Sequence, residues 1–158
     1  MSILCSVVLA MSHISKLELV HYTLNPTDII IDQEGVCKVL SPALSEHQFD
    51  FNPHPNFYYA PETLKIFKMQ SASNTLTNKS AVFTLGMTLL SMIHLTSLNH
   101  LYNLKNSTLD YEEVCTLVSE VQDQDVQVIL QKMLKWHSYE RIVFTELEEM
   151  LFEMISKN

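Results

Sequence analysis

The sequence predicts a mainly α-helical domain carrying one small β-hairpin. Three observations support this. Only 2 glycines and 5 prolines occur in 158 residues, too few for a turn-dense sandwich or barrel. Apolar residues recur at helical spacing in several stretches. The run "KSAVFTLGMTLLSMIHL" (79–95) is apolar on nearly every side, as expected of a helix buried at the centre of a domain.

The elements follow in order. Ile3, Val7, Ala10 and Ile14 keep helical spacing, with Leu4, Val8 and Met11 beside them, so residues 2–15 are expected to form a largely buried helix. Its beginning has no capping residue. Ile29–Ile31 and residues 36–40 flank "DQEG", which reads as a β-hairpin closed by a glycine-ending turn. Residues 41–59 hold Pro42, Pro53 and Pro55 and read as an irregular loop. The polar stretch "QSASNTLTN" (70–78) precedes the central helix. Two helices are expected near 110–121 and 123–135, the first with capping-box spacing between Asp110 and Glu113. A last helix opens at "TELEEML" with Thr145 and Glu148 as a further box. Leu147, Met150, Leu151, Met154 and Ile155 form its expected buried stripe. No internal repeat is evident, and one domain over residues 1–158 is expected.

Composition narrows the function. An apolar fraction of 47% suits a globular protein, and a chain of this length buries roughly two-thirds of its unfolded surface. A net charge of −8 disfavours binding to nucleic acid or to an anionic membrane, both of which need clustered Lys and Arg. Cys5, Cys37 and Cys115 are far apart and show no metal-ligand spacing, so no zinc site or disulfide framework is indicated. Histidines 47, 54, 94, 100 and 137 show no helical metal spacing either. The numerous methionines read as core filling. A reducing, cytoplasmic compartment is the expectation. "MSILCSVVLAM" lacks the basic start of a signal peptide, and no run approaches the ~18 apolar residues of a membrane span.

Five motifs then coincide in order. "HYTLNPTDIII" (21–31) resembles the catalytic loop HRDLKPENILL of protein kinases. "KVLSPA" (38–43) sits where such kinases read K-I/L-x-D-F-G. "YYAPE" (58–62) matches the end of the activation segment, and "SAVFTLGMTLL" (80–90) the start of the central helix, SDVWSLGVILL. "LQKMLKWHSYERIVFTELEEML" (130–151) follows the pattern L-x-x-M-L-x-x-D-P-x-x-R. Over nearly its full length the chain resembles the larger, C-terminal lobe of a eukaryotic protein kinase.

That resemblance implies a fold and a degenerate site. A kinase needs a carboxylate for the substrate hydroxyl, two metal ligands, and a lysine that neutralises phosphate. The base position is Thr23, whose hydroxyl is no base near neutral pH. The preceding arginine position is Tyr22, and the catalytic-loop lysine position is Asn25. The metal-holding asparagine is Asp28, which still offers oxygen to Mg²⁺ and is the weak metal candidate. The aspartate of D-F-G is Ser41, followed by Pro42 and Ala43. The aspartate opening the central helix is Ala81. His21 matches the histidine of the regulatory spine, although a neutral buried histidine with no switch role is the simpler reading. Ile30 matches the spine position beneath the adenine, or is an ordinary strand residue. Glu62 and Arg141 match a buried ion pair that ties the activation segment to the lower helices. The Gly-rich loop, the β3 lysine and its glutamate partner, all of the smaller lobe, have no match.

The expected function is therefore a catalytically inactive, pseudokinase-type module that binds a protein partner or itself, without a cofactor. The alternatives are an ATP- and Mg²⁺-dependent serine/threonine kinase whose smaller lobe lies outside this chain, or a fragment of a longer pseudokinase gene. The uncapped first helix favours the fragment. With no smaller lobe covering them, Ile3, Val7 and Ile29–Ile31 are expected to lie partly open.

Overall fold

The computed structural model describes residues 2–17, 24–39, 53–69 and 77–156. Helix α1 spans Ser2–Lys16. A 3₁₀ turn at Pro26–Asp28 leads into strand β1, Ile29–Ile31, which pairs antiparallel with β2, Cys37–Val39. Helix α2 is Pro61–Met69 and α3 is Asn78–Ile93. A second hairpin joins β3, Tyr102–Asn103, to β4, Thr108–Leu109. Helices α4 (Tyr111–Ser119), α5 (Gln124–Met133) and α6 (Phe144–Ser156) complete the order. Among the described residues no helix is long and apolar enough to cross a membrane.

Helix α3 is the axis of the core. Every residue from Ser80 through Ser91 is buried, which explains why its sequence shows no polar face. Gly86 has a packing reason. A Cβ there would meet Leu134 Cδ2 at 2.8 Å and Met133 Cβ at 3.2 Å, so its absence lets the end of α5 approach α3. Met11 and Val8 of α1, Ile129 and Leu130 of α5, and Phe144 and Leu147 of α6 pack into the same core.

The first hairpin turns at Gly35, whose φ of +81° lies where glycine is favoured. Asp32 organises the turn: its Oδ1 accepts from the backbone N–H of Val36 at 2.9 Å and of Glu34 at 3.1 Å. The Val36 bond is the main reason its carboxyl sits below the usual range.

Several sequence-based expectations need correction. The last helix starts at Phe144, because that ring is only 1% exposed and is drawn into the core. The expected Thr145–Glu148 box does not form. Glu146 instead accepts from the backbone N–H of Val143 at 3.1 Å, while Glu148 is taken by Ser12 and Lys16 of α1. Ile155 lies outside the buried stripe, half exposed near the helix end. At α4 only one half of the box forms: Asp110 accepts from Glu113 N–H at 3.2 Å, while its own N–H pairs with Leu101 O at 2.9 Å to anchor the second hairpin. Val7 is not open but wholly buried, whereas Ile30, Ile31 and Val36 are exposed on the first hairpin. Helix α2, the second hairpin and the Asp123 cap on α5 had no counterpart in the sequence reading.

Candidate functional site

The residues matching the catalytic loop fall partly outside the described residues: His21 and Thr23 do, as do Ser41, Pro42 and Ala43. Asn25, Asp28 and Ile30 are described. Asn25 caps the 3₁₀ turn, with Pro26 at its first position, where a missing N–H costs nothing. Asn25 Oδ1 accepts from Thr27 N–H at 2.9 Å. Asp28 closes the box in return: its Oδ2 accepts from the backbone N–H of Asn25 at 3.1 Å and from Asn25 Nδ2 at 2.9 Å. One carboxylate oxygen of the metal candidate is thus committed to the residue standing in the lysine position. Ile30 pairs with Lys38 across the hairpin and is 43% exposed. No group of three His, Cys, Asp or Glu side chains able to hold a metal occurs among the described residues.

Sequence reasoning missed the device that holds this turn. Ser80, Thr84, Thr88 and Ser91 are all buried on α3, and their spacing places them along one face. Each hydroxyl reaches a segment of the site. Ser80 donates to Glu62 Oε1 at 2.9 Å. Thr84 lies 3.3 Å from the carbonyl of Tyr58. Thr88 donates to the carbonyl of Leu24 at 2.9 Å, sharing its proton with Thr84 O. Ser91 accepts from the Tyr58 hydroxyl at 2.9 Å and donates to Thr96 O at 2.7 Å. The four-, four- and three-residue spacing of Ser80, Thr84, Thr88 and Ser91 in an otherwise apolar helix was the available signal. Position 81, where the family carries an aspartate, is a fully buried alanine, and the tether to the loop comes two turns later, at Thr88.

The end of the activation-segment region is fixed by tyrosines. Tyr102 donates to Tyr59 O at 3.1 Å and accepts from Tyr59 N–H at 3.2 Å. Burial pushes the Tyr102 phenol above its ordinary value, so it stays neutral. Tyr59 Oη accepts from His54 N–H at 2.7 Å.

Glu62, at the start of α2, meets Arg141, just ahead of α6. The guanidinium is fully buried and the carboxylate about a quarter exposed. The pair is bidentate, with Nη1 to Oε1 at 2.6 Å and Nη2 to Oε2 at 3.2 Å. The remaining donors reach backbone carbonyls: Nη1 that of Lys79, Nε and Nη2 that of Lys135, and Nη2 also that of Trp136. The Phe83 ring lies 4.9 Å beneath the guanidinium carbon, a cation–π geometry. Every N–H is satisfied, which burying a cation requires. Burial pushes the Glu62 carboxyl up, but the hydrogen bond and charge of Arg141 win, leaving it below its ordinary 4.5.

A broad depression of about 540 Å³ opens between the Asn25–Thr27 turn, Phe57, Tyr58 and the end of α3. Leu95 stands on its rim. This residue is 92% exposed and holds φ at +51°. The chain leaves α3 by Leu95 N–H to Met92 O and Thr96 N–H to Ser91 O. That pattern places Leu95 at the left-handed position that glycine usually fills.

A family model described as "Protein tyrosine and serine/threonine kinase" matches residues 1–151. No curated protein matches the chain.

Two stability outcomes are expected. Thr88→Val keeps the shape but strands the buried Leu24 carbonyl, and should cost about 1–3 kcal/mol in chemical denaturation, with Thr88→Ser close to the parent. Arg141→Ala and Glu62→Ala should each cost about 3–5 kcal/mol, the second because it leaves a fully buried guanidinium without its counter-charge. The depressed Glu62 value means that the pair contributes stability above pH 4.5 and loses it as pH falls through the lower folded value. Melting profiles of Glu62→Gln should therefore fall less steeply than the parent's below that pH.

Proposed function

The chain belongs to the protein tyrosine and serine/threonine kinase family, and on that premise we propose that it is a pseudokinase-type module that binds a protein partner and transfers no phosphate. Residues 1–158 act as one unit corresponding to the larger lobe. The observation carrying this reading is the Asn25–Asp28 turn. Where phosphate transfer calls for a cation and a free metal ligand, a neutral amide and a carboxylate satisfy each other. Thr23 and Ser41 add, from sequence, a hydroxyl where the base should be and a hydroxyl where the second metal ligand should be. These donors do not fit a magnesium–nucleotide complex, and no step through one is derived. Three free cysteines and a net charge of −8 support a reducing, cytoplasmic setting. The alternative, an ATP-dependent serine/threonine kinase completed by a smaller lobe, rests on the family match and, among the site residues, on Asp28.

The partner face we propose is the depression rimmed by Leu95. A large apolar side chain there gains almost no burial and occupies a backbone conformation costing about 1–2 kcal/mol. Strain retained at an exposed apolar residue marks a recognition surface.

Two results follow. Purified protein with labelled ATP, Mg²⁺ or Mn²⁺ and generic protein substrates should show no turnover; turnover abolished by Asp28→Ala would overturn the inactive reading. Leu95→Gly should raise the melting temperature by roughly 2–4 °C for each kcal/mol of relieved strain while weakening association, whether with a partner or in sedimentation of the chain alone. A glycine variant as stable as the parent, with unchanged association, would remove Leu95 from the interface.

A further inference from the structure

A second hollow, smaller than the depression beside Leu95, lies between α4 and the end of α5. Its volume is about 220 Å³. Val114, Val118 and Leu134 form its floor, each of them buried. Tyr111 lends a ring to the wall, and the exposed Cys115, Gln131 and Lys135 form the mouth. We propose that this hollow binds a small, free aromatic monocarboxylic acid, with the ring on the valine and leucine floor and the carboxylate at Lys135.

Size and lining set the ligand class. Clefts for drug-sized molecules run to about 300–1,000 Å³, so this one takes something smaller. An apolar cavity of about 150 Å³ already accepts benzene, and one ring with a short substituent therefore fits. The three floor side chains bear no donor or acceptor, so a polar group laid on them would lose its water without compensation. The Tyr111 hydroxyl is committed to Leu134 O at 2.8 Å, and burial, with Cys115 beside it, pushes the phenol up to about 12. Its ring is left as the contact surface, where an aromatic body gains an offset or edge contact. Lys135 sets the sign. It is the one charged residue among the described residues lining the hollow, and it takes part in none of their ion pairs. A carboxylate gains a counter-charge there, and Gln131 supplies an amide donor beside it. A second carboxylate would have to lie on the apolar floor, and a ligand ammonium would meet Lys135. The end of a helix ordinarily repels an anion. Here the carbonyls of Lys135 and Trp136 receive Arg141 and that of Leu134 receives Tyr111, so the negative end of α5 is already answered. The same bonds pin the backbone carrying the cation, which lowers the ordering cost of binding.

Trp136 supplies the readout. It is the protein's one tryptophan, and its ring lies 5.1 Å from that of Tyr111. The full chain is titrated with benzoate, phenylacetate, benzamide, benzylamine and acetate while Trp136 emission is followed. Iodoacetamide labelling of Cys115, read by mass spectrometry on the peptide that carries it, is measured alongside. Benzoate and phenylacetate should change the emission saturably and slow the labelling. Benzamide should bind roughly three- to fivefold more weakly, as for a partly exposed ion pair, and benzylamine and acetate more weakly still. Lys135→Gln should erase the preference for benzoate over benzamide, and Lys135→Arg should keep it. Both replace an exposed side chain, and melting checks that they fold. N-acetylphenylalanine should bind more weakly than phenylacetate, because its added peptide group exceeds what the hollow holds; tighter binding would replace the free acid by the end of a polypeptide. Absence of a saturable response to both acids up to their solubility, or benzamide binding as tightly as benzoate, would overturn the proposal in the parent protein alone. So would a carboxylate preference that survives in folded Lys135→Gln.

Discussion

The buried guanidinium of Arg141 is the constraint around which the rest is arranged. A cation with no solvent contact is tolerable only if every donor is answered. Answering them fixes four places at once: the start of α2 through Glu62, the start of α3 through the Lys79 carbonyl and Phe83, the end of α5 through Lys135 and Trp136, and by its own position the entry to α6. Four helices are thereby located relative to one side chain. Such a centre specifies geometry more than it adds stability, because much of its Coulomb gain is spent on desolvation.

From that fixed point α3 carries order outward. Ser80 shares Glu62 with Arg141, and Thr84, Thr88 and Ser91 extend the same row toward Tyr58 and Leu24. Neutral hydroxyls suit this position. They satisfy buried carbonyls without bringing a charge that would need a counterion. A chain holding its loop frame this way has no need of a carboxylate at position 81.

How much was legible follows from the physics of each element. Helix α3 could be read because burial on all sides erases the polar face, and α1 because its apolar period is long. Helix α2 was missed: it is short, opens with Pro61 after a proline-rich stretch, and owes its burial to tertiary contacts of Leu64, Ile66 and Phe67. The second hairpin has two-residue strands, below the reach of any periodicity. At α6 the local signal pointed to the wrong glutamate, because Glu148 has a distant partner in Lys16 at 2.9 Å that no spacing rule can see. At the site, identity was legible and engagement was not. That Asn25 replaces a lysine is written in the chain; that its amide would occupy Asp28 depends on a turn of three residues closing on itself.

The first hairpin has a consequence for solubility. Ile29–Ile31 is a run of β-branched residues in a two-stranded sheet, with two of its three side chains exposed. Short segments of this kind template cross-strand stacking between molecules. Here the run is bounded by Asp28 and Asp32, and Lys38 faces Ile30 across the ladder. Charges flanking an apolar strand act as gatekeepers against edge-to-edge growth. Because the backbone N–H of Val36 holds the Asp32 carboxyl below its usual range, that guard stays ionised in acid where an ordinary aspartate would begin to fail. The turn that closes the hairpin thus also sets a charge at the end of its apolar strand.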